Sequence, residues 1–266
     1  MPSLDDLRKI IIQIDGKGYK AYKDIEGSFN CNEYTLIIDH VSGDPFASPS
    51  RLRVQIPIEK AGFPSDTFEN KSREIALRDF MTRFFFDASK RFCKGNRGTG
   101  KSGIISIDRP GQEILERTSA KITAKIVEAR FVMGLPAFGR KIAGRHAAEM
   151  FFEELPKIIR TSLYYDNLDE NKLYKHIKTA EDADFIREQL DTLGLAAFVA
   201  DGSILPRKSG IDDRPLDLNK SIPFESPKSM RIKISLPNLG DITGMGIPFG
   251  ITLVVGGGYH GKSTLL

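Results

Sequence analysis

Cysteine is scarce in this 266-residue chain, with only Cys31 and Cys93 present. Two thiols cannot build a disulfide framework or a cysteine-rich zinc site, which fits a reducing compartment. The opening residues MPSLDDLRKI carry two aspartates and lack the apolar core of a signal peptide. Long hydrophobic runs are also missing. The longest uncharged run, residues 242–261, has the twenty residues of a membrane span, but seven are glycine and one is Pro248, so a spanning helix is excluded. No repeat of solenoid length is visible. His40, His146, His176 and His260 have no metal-ligand spacing, and no Gly-x-Ser-x-Gly nucleophile motif occurs. The adjacent acids Glu153 and Glu154, like Asp182 and Asp184, read as solvated helix faces. With 40% hydrophobic and 28% charged residues, global disorder is excluded. The expectation is a cytoplasmic α/β protein with no membrane segment and room for one large domain or two ordinary ones.

The net charge of +4 is unevenly spread. Residues 71–101 hold nine bases against three acids, a local excess of +6 that leaves −2 for the rest of the chain. Residues 161–220 run the other way, with eight bases and twelve acids. Such separation suits an anionic partner, RNA or single-stranded DNA, contacted by Lys90, Arg91, Lys94, Arg97 and Lys101. A solvated helix face accounts for the same pattern.

Periodicity gives the coarse organisation. Leu4, Leu7 and Ile11 repeat at helical spacing behind Ser3, a good N-cap residue. EYTLIIDHV and RLRVQIPI read as strands joined by the turn residues of SGDPFASPS. Leu77, Phe80, Met81, Phe84 and Phe85 place an amphipathic helix over 71–93, which makes Phe84 to Phe86 core rather than a base-stacking platform. IISID and 122–132 are strand candidates, and 112–117 can hold a helical turn or two. Helix is expected over 140–154, interrupted at Pro156 and resumed to Tyr164. Two helices, 171–179 and 181–193, then precede the strand LAAFVA. Four prolines within 205–230 mark an irregular connection, after which MRIKISL and GITLVV read as strands.

The phosphate-loop pattern Gly-x4-Gly-Lys-Ser/Thr occurs twice, at 95–102 and at 256–263. Its chemistry needs a strand that delivers the loop and a helix that starts at Lys-Ser/Thr, so that backbone N–H groups wrap the phosphates. The second copy follows the strand candidate GITLVV and has residues after it that can start a helix. There Lys262 would reach the β- and γ-phosphates, and the Ser263 hydroxyl would bind magnesium. The first copy fails on order, because a helix precedes it and a strand follows. It reads either as a flexible basic loop touching phosphates or as an exposed turn.

GIPFGITLVVGGGYHGKSTLL resembles the P-loop of the ATPases of the ABC class, a soluble family distinct from the membrane transporters. The resemblance extends upstream through GDPFASPSRLRV, RGTGKSGIISIDRPGQEILERT, VEARFVMGLPAFGR, GLAAFVADGSILPR and SIPFESPKSM, and so covers nearly the whole chain. It implies an α+β N-terminal domain, 1–160, followed by the beginning of a P-loop NTPase domain, 161–266. It also implies ATP held by Gly256, Gly257, Gly258, Tyr259, His260, Gly261, Lys262, Ser263 and Thr264, magnesium at Ser263, and a homodimer of the full-length protein. The family's Walker B acid, signature sequence and switch histidine have no counterpart before Leu266. The expectation is therefore an N-terminal fragment of a longer ATPase that does not hydrolyse ATP by itself.

Overall fold

The computed structural model describes residues 1–258 and 260–266. The chain forms two compact units. The first comprises Met1–Pro110 with Ile114–Tyr174, and the second Gly111–Glu113 with Lys175–Leu266.

The first unit is built on a six-stranded antiparallel sheet. Its strands are β1 (Gly27–Asn30), β2 (Thr35–His40), β3 (Ser50–Pro57), β4 (Ile105–Ser106), β5 (Ala120–Ile122) and β6 (Ile126–Met133), in the order β1-β2-β3-β6-β4 with β5 also on β6. Alternation sorts the two faces. Leu52, Val54 and Ile56 of β3 and Val127, Ala129 and Phe131 of β6 are buried together. Against the sheet lies the second layer, the helices α1 (Leu4–Ile14), α2 (Ile58–Ala61) and α3 (Lys71–Phe92). Ser3 and Asp6 form a reciprocal capping box at the start of α1, and Asn70 Oδ1 accepts from Arg73 N–H at the start of α3. Phe85 of α3 meets Phe131 with ring centroids 5.2 Å apart, which joins the two layers at the centre of the core.

After the hairpin β7 (Ala137–Phe138) and β8 (Lys141–Ile142), helix α4 (Gly144–Glu149) runs through a π-helical turn at Met150–Glu154 into α5 (Leu155–Leu163). Pro156 therefore does not interrupt the helix. Proline lacks an N–H and its ring crowds the carbonyl four residues earlier, and the wider turn before it absorbs both defects. Other expectations shift in similar ways. Residues 112–117 contain no helix. The candidate strand over 122–132 is two strands, β5 and β6, divided where the Thr123 hydroxyl accepts from the Lys125 and Ile126 N–H groups.

The second unit contains most of α6 (Glu170–Gln189), a single helix where two were expected. No proline or glycine separates residues 179 and 181, so nothing breaks it. β9 (Leu195–Ala200), β12 (Arg231–Leu236) and β13 (Gly240–Pro248) form an antiparallel sheet in the order β12-β13-β9. β10 (Arg207–Ser209) and β11 (Asp212–Pro215) make a separate hairpin within the proline-rich connection, and α7 (Lys262–Leu265) closes the chain. Asp182 is buried and accepts from the Asn238 and Leu239 N–H groups at 3.0 Å, capping the β12–β13 turn rather than lying on a solvated face. Mixed helices and antiparallel sheets place the chain in the α/β class. No described helix is long and apolar enough to cross a membrane.

The outer face of the first sheet is charged. Arg53 and Arg130 stand directly opposite one another, an unfavourable pairing that the buried Glu128 offsets. Its carboxylate accepts from Gln55 Nε2 at 2.5 Å, Arg130 Nε at 2.7 Å and Arg53 Nη1 at 3.4 Å. Burial pushes the Glu128 carboxyl up, but Gln55, Arg130 and Arg53 outweigh it and hold it below the ordinary value of 4.5. A depressed folded-state value stabilises the fold above the unfolded value and loses that stabilisation as pH falls through the folded one. Glu128→Gln is accordingly expected to cost about 1.5–3 kcal/mol near neutral pH. In urea melts across the acid range, the gap between the two proteins should shrink as pH drops below 4.5. A gap independent of pH contradicts the assignment.

Candidate functional site

The second glycine-lysine loop sits in the second unit. Gly261, at φ +78°, turns the chain into α7. The Lys262 ammonium folds back over the loop and donates to the carbonyls of Gly256, at 2.7 Å, and Gly257. His260 does more than supply backbone, because its Nδ1 accepts from Gly257 N–H at 3.0 Å and closes the glycine turn. Among the described residues, the N–H groups of Gly258, His260, Gly261, Lys262 and Ser263 donate to no protein acceptor. Ser263 and Thr264 are exposed, and the Ser263 hydroxyl has no protein partner among the described residues. Tyr259, the remaining residue of the expected site, lies outside the described residues.

The segment that delivers this loop departs from expectation. Residues 251–255 form no strand, and β13 ends at Pro248. Ile251, Leu253 and Val255 are 97%, 80% and 82% exposed, so the alternation of GITLVV meets no neighbouring strand among the described residues. A strand is defined by its ladder, and apolar sequence alone does not create one.

The first glycine-lysine loop, 95–103, is more than an exposed turn, because its backbone packs against that of Pro45, Gly134 and Ala137. Six of its nine N–H groups are consumed by the protein, and those of Gly95, Asn96 and Gly100 have no acceptor among the described residues. Arg97 N–H donates to Ser102 O, Thr99 N–H to Ala137 O at 2.7 Å, Lys101 N–H to Pro45 O at 2.9 Å and Gly103 N–H to Gly134 O at 2.7 Å. Gly98 N–H is taken by Asn96 Oδ1 at 3.1 Å and Ser102 N–H by Thr99 O at 3.2 Å. The glycines permit backbone to lie on backbone. A Cβ on Gly98, at φ +141°, would fall 2.2 Å from Ala137 O, and one on Gly134 would fall 1.8 Å from Lys101 O. Ser102 is buried, its hydroxyl donating to Thr99 O at 2.6 Å and accepting from Ala137 N–H at 3.1 Å.

The basic stretch also changes character. Arg97 is buried, donating to Glu149 at 2.7 Å, to Glu154 and to the His146 carbonyl at 3.2 Å. It is therefore withdrawn from any outside phosphate, and Glu154, read as part of a solvated face, is its buried partner. Lys94 pairs with Glu149 at 3.5 Å. Burial pushes the Glu149 carboxyl up, yet Arg97 and Lys94 hold it below the usual range. Lys71 and Arg78 meet Glu116, Arg73 meets Glu69 and Arg83 meets Asp79. The local count of +6 missed Glu69, Glu116, Glu149 and Glu154 because they lie outside residues 71–101. Lys90, Arg91 and Lys101 remain exposed with no carboxylate partner among the described residues. The Lys90 and Arg91 cations lie over Phe86 and Phe92, at 5.5 and 5.1 Å from the ring centroids.

A family model described as ATPase of the ABC class N-terminal matches residues 4–166, and an ABC ATPase model described as P-loop domain matches residues 169–266. No curated protein matches the chain.

In the first loop, substitution should disturb the packed backbone and not the lysine side chain. Gly134→Ala forces Lys101 O away and is expected to cost more than about 2 kcal/mol. Lys101→Ala removes only an exposed side chain and should stay within about 0.5 kcal/mol. Chemical denaturation measures both. Equal, small effects contradict a packed role for the first loop.

Proposed function

The chain belongs to the ATPases of the ABC class, and from that premise we propose that it binds ATP with magnesium through residues 256–264. The carrying observation is the run of N–H groups at Gly258, His260, Gly261, Lys262 and Ser263 that no described acceptor uses, in a chain whose other glycine-lysine loop has spent six of its nine. Free amides in series form the concave cradle that phosphate oxygens need. In this reading Lys262 leaves the carbonyls of Gly256 and Gly257 and donates to β- and γ-phosphate oxygens. Thr264 and Tyr259 complete the loop. No trio of His, Cys, Asp or Glu able to hold a metal occurs among the described residues. Magnesium, when bound, neutralises phosphate charge, and the Ser263 hydroxyl is the protein oxygen available to it, with phosphate oxygens and water completing the shell. This proposal divides the chain into an N-terminal domain, 1–160, and a P-loop domain, 161–266; the two family matches meet between 166 and 169 and the compact unit changes after Tyr174, somewhat later than that boundary.

A second reading, weak binding of RNA or single-stranded DNA, is favoured by the exposed and carboxylate-free Lys90, Arg91 and Lys101, with Lys94 beside them. About three phosphate contacts give a log–log salt slope of about −2 on single strands, half of what six would give. Fluorescence anisotropy at several salt concentrations measures the slope, and binding insensitive to salt ends this reading.

For the principal proposal, Lys262→Ala is expected to weaken magnesium-ATP binding by about tenfold or more, the worth of a charge-assisted contact. Lys101→Ala should stay within about threefold, under 1 kcal/mol. Isothermal titration of the two variants decides. Equal losses contradict the site.

A further inference from the structure

The outer face of the six-stranded sheet holds a cleft of about 690 Å³ that ATP binding at residues 256–264 does not use. Its floor is rich in arginine because β3 and β6 turn alternate side chains to this face, Arg51 and Arg53 from one and Arg130 from the other. Residues 106–108 and 118–119 wall it.

The three arginines are not equally committed. Arg53 is a strut, donating Nε to both Asp39 oxygens at 3.1 Å and Nη1 to Glu128 at 3.4 Å. Arg130 gives only its Nε to Glu128, at 2.7 Å, and its terminal nitrogens have no acceptor among the described residues. Arg51 is exposed and has no acceptor at all among them. Arg51 faces Val132 in register, so Arg130 is its diagonal neighbour, about 7–8 Å away and within reach of long side chains. Ser119 is 5% exposed, and its hydroxyl has no hydrogen-bond partner among the described residues. A buried hydroxyl left unmatched is costly unless something else meets it. The Asp108 carboxylate, exposed at the rim, makes no ion pair among the described residues.

We propose that this cleft binds a small phosphate monoester, a sugar phosphate or a nucleoside monophosphate. Two adjacent guanidinium forks match the dianion of a terminal phosphate, with bidentate geometry available to each. An internal phosphodiester of a nucleic acid brings one charge and leaves one fork unmatched. Ser119 supplies a further donor to the phosphate, and Asp108 accepts from a sugar hydroxyl. The volume falls in the range of small-molecule sites rather than that of a polymer groove.

The test is isothermal titration of ribose 5-phosphate into the 266-residue chain carrying Lys262→Ala, which silences the phosphate loop of the second unit. Saturable one-to-one binding is expected, weakened about tenfold or more by adding Arg51→Gln. Arg51 touches no described acceptor, so that variant should melt like its parent. Arg130→Gln should weaken binding similarly, with melts reporting any unsettling of Glu128. Inorganic phosphate, lacking the sugar contacts, should bind about tenfold more weakly or less well still. Absence of saturable binding overturns the proposal, as does binding indifferent to both arginine variants. Inorganic phosphate or dimethyl phosphate binding as tightly as ribose 5-phosphate also overturns it. ATP binding by the chain with Lys262 intact is read separately, so the two sites fail or stand independently.

Discussion

The buried Arg97 guanidinium, held between Glu149 and Glu154, is the interaction on which the first unit's surface depends. Leaving any member of such a group unpaired in the interior costs about 3–5 kcal/mol. The pairing ties the glycine-rich segment 95–103 to the π-helical turn Met150–Glu154, whose extra width also accommodates Pro156. With Arg97 fixed inward, the segment follows a path in which its N–H groups bond to the backbone at Pro45, Gly134 and Ala137. That path leaves glycine as the only residue that fits at Gly98 and Gly134.

Two segments with the same motif thereby reach opposite physical states. In 95–103 six of nine amides are bonded, the serine hydroxyl is buried, and Gly98, Gly100 and Gly103 are packing residues. In 256–263 the amides of six described residues have no acceptor among the described residues, Ser263 is exposed and Gly261 serves chain direction. Phosphate recognition by backbone requires unspent donors, so the motif is informative only together with the hydrogen bonds around it. The protein's cations follow the same logic. Bases that look like a contiguous patch in sequence are largely neutralised by acids from Glu69, Glu116, Glu149 and Glu154.

The sequence made plain whatever periodicity controls. Leu77, Phe80, Met81 and Phe85 mark the buried side of α3, and alternation in RLRVQIPI marks the inner face of β3. The order of helix, glycine loop and strand around residues 95–102 was legible, whereas the strand expected ahead of Gly256 is not found among the described residues. What stayed hidden depends on partners far along the chain. The burial of Glu154 needs Arg97, fifty-seven residues earlier, and that of Asp182 needs the turn at Asn238. The charged cleft needs β3 beside β6, a pairing of segments about eighty residues apart that no local pattern announces. GITLVV shows the converse, because its apolar alternation invites a strand and the ladder that would define one is not among the described residues.

The central claim is that the chain's phosphate-binding amides are those after Val255 and not those of the first loop. Hydrogen exchange read by mass spectrometry, with and without magnesium-ATP, tests it most directly. The account predicts slowed exchange in peptides covering residues 256–264 and unchanged exchange across residues 95–103, where six of nine amides are already bonded. Protection that appears in 95–103 while 256–264 stays unchanged would contradict it.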